Sequence, residues 1–318
     1  MRAYILKRII WFIPVLVITL TLVFIIMQVL PGDPIEAAFG DETPLSEEQI
    51  EALRARFGLD QPLYMRFLDW WWDLLRGDFG ISFYSGAGVS EQLISRIPVT
   101  FGLIALSMII MLVFSIPSGI LSGYYQNEWP DWIIRTVSIL FISLPHFWLA
   151  TMAILVGLMY FNWFVSIQYV TIFSEPIKAL QQIALPAFIM GLRPVSIAAR
   201  MIRSSLVEVM EEDYIRTGRS KGLTETLLTW RHAVPNSLLP VVTFYGFEII
   251  VLVGTSVVME GVFSIPGLGG LIIQSAKLHD YYVLQGCVVI LLFLALFMNL
   301  LVDILYGWLD PRVRYERQ

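Results

Sequence analysis

The chain has 318 residues, 57% of them hydrophobic and only 15% charged, with 21 basic against 26 acidic residues and a net charge of −5. That is more apolar surface than one soluble core can bury, which excludes an ordinary water-soluble domain. A single cysteine, Cys287, excludes an internal disulfide framework and a cysteine-based metal site; no metal and no nucleic-acid partner are expected.

The first apolar run, residues 9–30, follows Arg2, Lys7 and Arg8. A helix needs about 20 residues to cross the hydrocarbon layer, whereas the apolar part of a signal peptide covers only about 7–15, so this run reads as a retained anchor. Further runs at 97–124, 133–161, 182–203, 238–260 and 283–308 bring the expected crossings to six, in an all-α protein of the lipid bilayer. Lys and Arg fall at the amino terminus, in the loop between the fourth and fifth runs, and at Arg312, Arg314 and Arg317. The short loops on the other side hold only Lys178 and Lys277, which predicts a multi-pass cell-membrane protein with both termini cytoplasmic. The loop at 126–131 carries no basic residue and adds no support. The expected division is a cytoplasmic terminus and first span at 1–30, an extracytoplasmic insert at 31–96, and a core of five spans at 97–318 containing a cytoplasmic loop at 204–236.

Within the first insert, "LSEEQI" places Ser46 as a helix cap with Gln49 three residues on, and Leu45 and Ile50 at hydrophobic-staple spacing. That helix is expected to end near Gly58, and a second to run from about 60–62 through "LYMRFLDWWWDLL" to Gly77. Trp70, Trp71 and Trp72 are of the type that stacks on a sugar or peptide, but beside a span tryptophans more often sit among lipid headgroups.

The second insert carries "DYIRTGRSKG" at 213–222, with Arg216, Arg219 and Lys221 close together, followed by Leu223, Leu227, Leu228 and Trp230 at near-helical spacing. A solvated loop that only fixes topology accounts for the charges. It does not account for the apolar stripe, which asks for a surface to bury itself against.

Three ionisable residues fall near mid-depth: His146 in the third run, Arg193 in the fourth and Glu248 in the fifth. Such charges cost about 2.5–3.5 kcal/mol each on insertion scales, so they are expected to face one another or a watery passage. Pro145 and Pro194 beside them free backbone carbonyls and bend their helices. Two readings stay open, a structural Arg193–Glu248 clip and a lining of the route.

"EDYIRTGRSKGL" and "RHAVPNSLLPVVT" resemble the ATPase-docking loop of the inner-membrane permease subunits of dipeptide and oligopeptide ABC importers. "SLPHFW", "VVMEGVFSIPGLG", "NLLVDILYGWLDPRVR" and "LDQPLYMRFLDW" with "LLRGDFGISF" are similar to that family's third, fifth and sixth spans and its external insert, so the resemblance covers nearly the whole chain. The general importer pattern is Glu-Ala-Ala, three residues, Gly, nine residues, Ile, one residue, Leu-Pro. Gly222 and Pro235 keep their places, while Arg216, Thr217 and Gly218 replace Glu-Ala-Ala, and His232 and Val234 replace Ile and Leu. Gly218 is the unusual one, since alanine is common there, and it is expected to loosen the helix by up to about 1 kcal/mol.

The resemblance implies a type I importer permease fold and a role as half of a translocation pathway. It implies a second permease subunit, two subunits that bind ATP and magnesium, and an external binding protein touching the first insert and the loop at 263–269. The coupling residues it implies are Asp213, Tyr214, Arg216, Thr217, Gly218, Lys221, Gly222, Leu223, Leu227, Arg231, His232 and Pro235, with Leu223 and Leu227 on a docking helix, a tight turn at Gly222, and Pro235 stopping the second helix. The chain itself has no G-x-x-x-x-G-K-S/T phosphate loop, so no cofactor is expected in it; "PGLGGL" reads as a turn at the outer surface. Relatives of this kind carry di- and oligopeptides, glutathione, nickel chelates or oligosaccharides.

Two other classes compete. An ion-coupled secondary transporter also buries charges, but internal repeats would be expected of it. An intramembrane hydrolase would use Ser256 with a histidine, yet no G-x-S-x-G elbow is present and His232 and His279 fall on loops of opposite faces. No enzymatic activity is expected.

Overall fold

The computed structural model describes residues 2–29, 35, 46–162, 170 and 174–309. Leu45 and the three arginines of the tail lie outside them. Among the described residues the chain is helical, apart from turns and an isolated antiparallel bridge between Ile81 and Gly88.

Helix α1, Arg2–Val29, is the first apolar run. Two short helices follow, α2 at Glu47–Arg56 and α3 at Leu63–Arg76. The Ser46–Gln49 capping box is present in both directions, at 3.3 Å and 2.9 Å. Gly58 (φ 66°) follows α2 and Gly77 (φ 77°) caps α3, both in the left-handed conformation glycine adopts without steric cost.

The core begins with α4, Val89–Tyr124, eight residues earlier than the apolar run suggests. It packs most extensively against α7, Pro176–Met210. Gly119 and Gly123, spaced i and i+4 on α4, permit this approach: a Cβ at Gly119 would run into Ile202 and one at Gly123 into Leu206. Both helices, at 36 and 35 residues, exceed the bilayer core and project beyond it.

Between them the bend expected beside Pro145 divides the third run. The third run is not one straight span: α5, Trp129–Ser143, and α6, His146–Phe161, meet at 99°. The residue before a proline is pushed out of the helical region, and Leu144 (ψ 130°) ends α5 for that reason while Pro145 becomes the N-cap of α6.

Helix α8, Asp213–Ser220, and α9, Glu225–Leu227, are followed by a π-helical turn at Leu228–Ala233 and α10 at Val234–Ser237. Then come α11, Leu239–Val262, α12, Leu268–Lys277, and α13, Tyr281–Leu309, which packs on α1, α11 and α12. Among the described residues, five helices are long and apolar enough to span a membrane alone, and the bent pair makes a sixth crossing if it is counted as one.

The ends of the core are distinct. A Cβ at Gly286 of α13 would press on Val89 and Leu93 at the start of α4, whereas the far end of α4, at Gly123, abuts Leu206. A main buried cluster around Leu103, Met190, Leu252 and Phe263 fills the first end and the middle. A second cluster joins Ile202 and Leu206 to Ile215, Leu228 and Val241 at the other.

Candidate functional site: a coupling surface and a central cleft

The segment from α8 to α10 is built around one close approach. Ile215 and Gly218 form the buried face of α8, and Leu228, 1% exposed, lies against Gly218. A Cβ at Gly218 would sit 2.5 Å from the Leu228 methyl Cδ2. The glycine expected to loosen α8 is therefore what lets it dock, and burial of Leu228 and Ile215 offsets the propensity cost.

The turn after α8 is a Schellman motif. The N–H of Leu223 donates to the Gly218 carbonyl (3.2 Å) and that of Gly222 to Arg219 (2.9 Å), with Gly222 at φ 80°. Thr224 then caps α9, its hydroxyl accepting from the Leu227 N–H at 3.4 Å. Arg219 straps across the turn with two hydrogen bonds to Glu225, at 2.6 and 3.1 Å. Through that bond Arg219 holds the Glu225 carboxyl below its ordinary range, and the carboxylate raises the guanidinium in return. Asn236 donates to the Tyr214 hydroxyl (3.0 Å) and to the His232 carbonyl (2.9 Å), tying α8 to the π-helical turn.

The expected apolar stripe divides. Leu228 faces the chain's own core, while Leu227 and Trp230 are exposed with Leu223. Leu223 is not on a helix; it follows Gly222 in the turn. Pro235 does not stop the second helix either: it lies in the first turn of α10, where a missing N–H costs nothing, directly after the wider π-helical turn. Helix α7 runs through residue 204 to Met210 without a break, so the loop expected at 204–236 starts later. The outward surface combines Leu223, Leu227 and Trp230 with Arg216, Lys221 and Arg231; Asp213, Tyr214 and Thr217 are also exposed, and His232 is half-buried.

At the α5–α6 elbow a cleft of about 540 Å³ opens between three helices, lined by His146, Arg193 of α7, and Val251, Gly254 and Thr255 of α11. Arg193 is exposed to it, and His146 starts α6 with its Nε2 buried. Glu248, 5% exposed, lies outside the lining, and no ion pair joins it to Arg193. The cleft lining thus takes in two of the three mid-depth residues. Ser256 is buried, and its hydroxyl donates to the Val253 carbonyl at 2.8 Å.

Two charged centres escaped the sequence. Asp131, in the first turn of α5, accepts from Arg203 Nε and Nη2 (3.0 and 2.8 Å), Ser122 (2.6 Å) and the Asn127 N–H (2.9 Å). The other is Glu260, fully buried, which accepts from the N–H groups of Gly269 (2.7 Å) and Gly270 (3.1 Å), while Thr100 accepts from Leu268 (2.8 Å). The opening N–H groups of α12 are thereby satisfied by side chains. "PGLGGL" is accordingly a buried helix start rather than a surface turn, and a Cβ at Gly267 would strike the Glu260 carboxylate.

Comparison with known proteins agrees with this architecture. Residues 115–315 match the family described as "Binding-protein-dependent transport system inner membrane component", and residues 1–104 match its N-terminal counterpart. A protein of Brucella abortus (strain 2308), named as a candidate peptide transport system permease, is 40% identical over 316 residues, covering 99% of this chain and 100% of that protein. The glutathione transport system permease GsiC of Escherichia coli (strain K12) is 35% identical with the same coverage. An inward-facing structure of the MetNI methionine ABC transporter, 19% identical, superposes with a TM-score of 0.56 over 69% of this chain and 96% of that one, and shows the shared type I fold. With its helical spans, its bent elbow and its end-to-end match, the chain belongs to the binding-protein-dependent transport system inner membrane component family and is a multi-pass permease subunit of an ABC importer.

Proposed function

We propose that this permease carries di- or oligopeptides, or a peptide-like solute such as glutathione, through a pathway whose other half is a second permease subunit. Two ATPase subunits, which bind ATP and magnesium, grip the α8–α10 surface from the cytoplasm, and an external binding protein delivers the solute at the opposite end. Both chain termini are then cytoplasmic. The names of the relatives support the substrate class.

The observation that carries the coupling role is the divided stripe. Leu228 and Ile215 are buried on Ile202 and Leu206 of α7, while Leu223, Leu227 and Trp230 remain exposed beside Arg216, Lys221 and Arg231. A face clamped to the core on one side and greasy on the other transmits force from a partner that buries it. His146 and Arg193 line the route in this reading, where the cationic Arg193 attracts a peptide carboxylate.

The test is ATP-dependent uptake in proteoliposomes holding the permease pair, ATPase subunits and binding protein. Leu227→Asp and Trp230→Asp should leave the permease folded and abolish ATPase co-purification and uptake. Retention of both activities would overturn the coupling role.

A further inference from the structure

Helix α3 presents three faces. Trp70, Trp71 and Leu74 pack on Leu20 and Val23 of α1 and on Val289 of α13, and Phe24 of α1 lies 5.2 Å from the Phe67 ring and 5.3 Å from that of Trp70. Arg66, Asp69 and Asp73 line a cleft of about 390 Å³ shared with Arg56 and Tyr282. There Asp73 is raised above the ordinary carboxylate range, first by burial and then by Asp78 and Asp69. The third face is apolar and bare: Tyr64, Leu68, Trp72 and Leu75, at helical spacing, are 63%, 63%, 57% and 74% exposed.

Isolated exposed apolar residues are ordinary, but a continuous stripe marks an interaction surface. Helix α1, on which α3 packs, is itself bare along Leu22, Ile25, Ile26 and Val29. The apolar run of α1 begins at Ile9, so about 20 residues on, near Val29, the helix reaches the outer edge of the hydrocarbon layer, and Phe24, which meets α3, lies only about 7–8 Å inside that edge. The Arg76 guanidinium lies 4.5 Å over the Trp72 ring, the pairing of aromatic body and cationic tip found at that depth.

We propose that α3 lies in the plane of the outer bilayer surface, with Tyr64, Leu68, Trp72 and Leu75 inserted among the acyl chains and its carboxylates facing water, as an in-plane anchor for the external insert. The helix carries two arginines, Arg66 and Arg76, against two aspartates, Asp69 and Asp73, so its insertion is driven by apolar burial and does not need anionic lipid.

Nitroxide labels at Leu68→Cys and Leu75→Cys, and at Asp69→Cys and Asp73→Cys, report on this in the full chain with its co-purifying subunits in lipid nanodiscs; Cys287 is buried and takes no label. Collision with oxygen should exceed collision with a water-soluble nickel chelate several-fold at 68 and 75, and the ratio should reverse at 69 and 73. The pattern should persist when phosphatidylglycerol is replaced by phosphatidylcholine. Tyr64→Cys repeats the measurement on the same face should a leucine variant misassemble. Immobile labels at 68 and 75 shielded from both reagents would mean that a protein covers the stripe, and free access of the nickel chelate would mean water; either result overturns the proposal.

Discussion

The two ends of the core solve the same local problem in opposite ways. At each, a glycine-bearing turn feeds a short helix. At the α11–α12 turn the backbone closes α11 locally, but the N–H groups that open α12 are taken by side chains, Glu260 of α11 and Thr100 of α4, and Gly267, Gly269 and Gly270 are each pressed on by Glu260, Val257 or Ile265. At the α8–α9 turn the polar groups are closed locally, by the Schellman bonds and the Arg219–Glu225 strap, and only Gly218 is packed tightly. The first turn is sealed into the protein; the second is a locally closed module held by the buried face that Ile215 and Leu228 present to α7, with its other side left for a partner.

If that contrast is right, damage at the sealed end should be the more severe. Glu260→Leu strands two amides of α12 at about 1–3 kcal/mol each, and should lower the melting temperature of the detergent-purified permease more than any other change considered. Glu260→Gln keeps an acceptor and should recover most of the loss. Gly218→Val forces Leu228 from its site at a cost of about 1–3 kcal/mol, and should also loosen ATPase co-purification. Gly222→Val has space around it but must hold a left-handed backbone, about 1–2 kcal/mol, and Gly222→Asn should be milder because asparagine tolerates that region. The smallest effect belongs to the exposed strap: Arg219→Ala should change stability by less than about 1 kcal/mol. Because Arg219 depresses the Glu225 pKa, the strap's contribution is present above the ordinary carboxylate pKa and fades as pH falls through the lowered one. A melting series at falling pH, with and without Arg219, measures this directly.

The same contrast explains what the sequence made legible. Local chemistry was readable: the Ser46–Gln49 box, the stops at Gly58 and Gly77, and the left-handed Gly222 all follow from near neighbours in the chain. Contacts between distant residues were not. Nothing local to Gly218 announces Leu228, and Glu260 in an apolar run gives no hint that α12 begins on it. Asp131 finds Arg203 only because Gly119 and Gly123 let α4 and α7 close together, although that pair of glycines, four apart, was a signal open to inspection. The bend at Leu144–Pro145 was announced by its proline, whereas hydropathy, continuous across 133–161, carries no measure of how sharply the run turns.

The unbroken course of α7 has a mechanical consequence. From Arg193 at the cleft to Met210 beside the coupling surface there are 17 residues of one helix, about 26 Å, and Pro194, the one proline in that stretch, sits at its cleft end without ending the helix. Such a rod behaves as a lever rather than a tether: pivoting it by about 10° at the cleft swings its far tip by about 4–5 Å, and a stroke of that size applied at the tip returns to the passage as a rotation of the same angle.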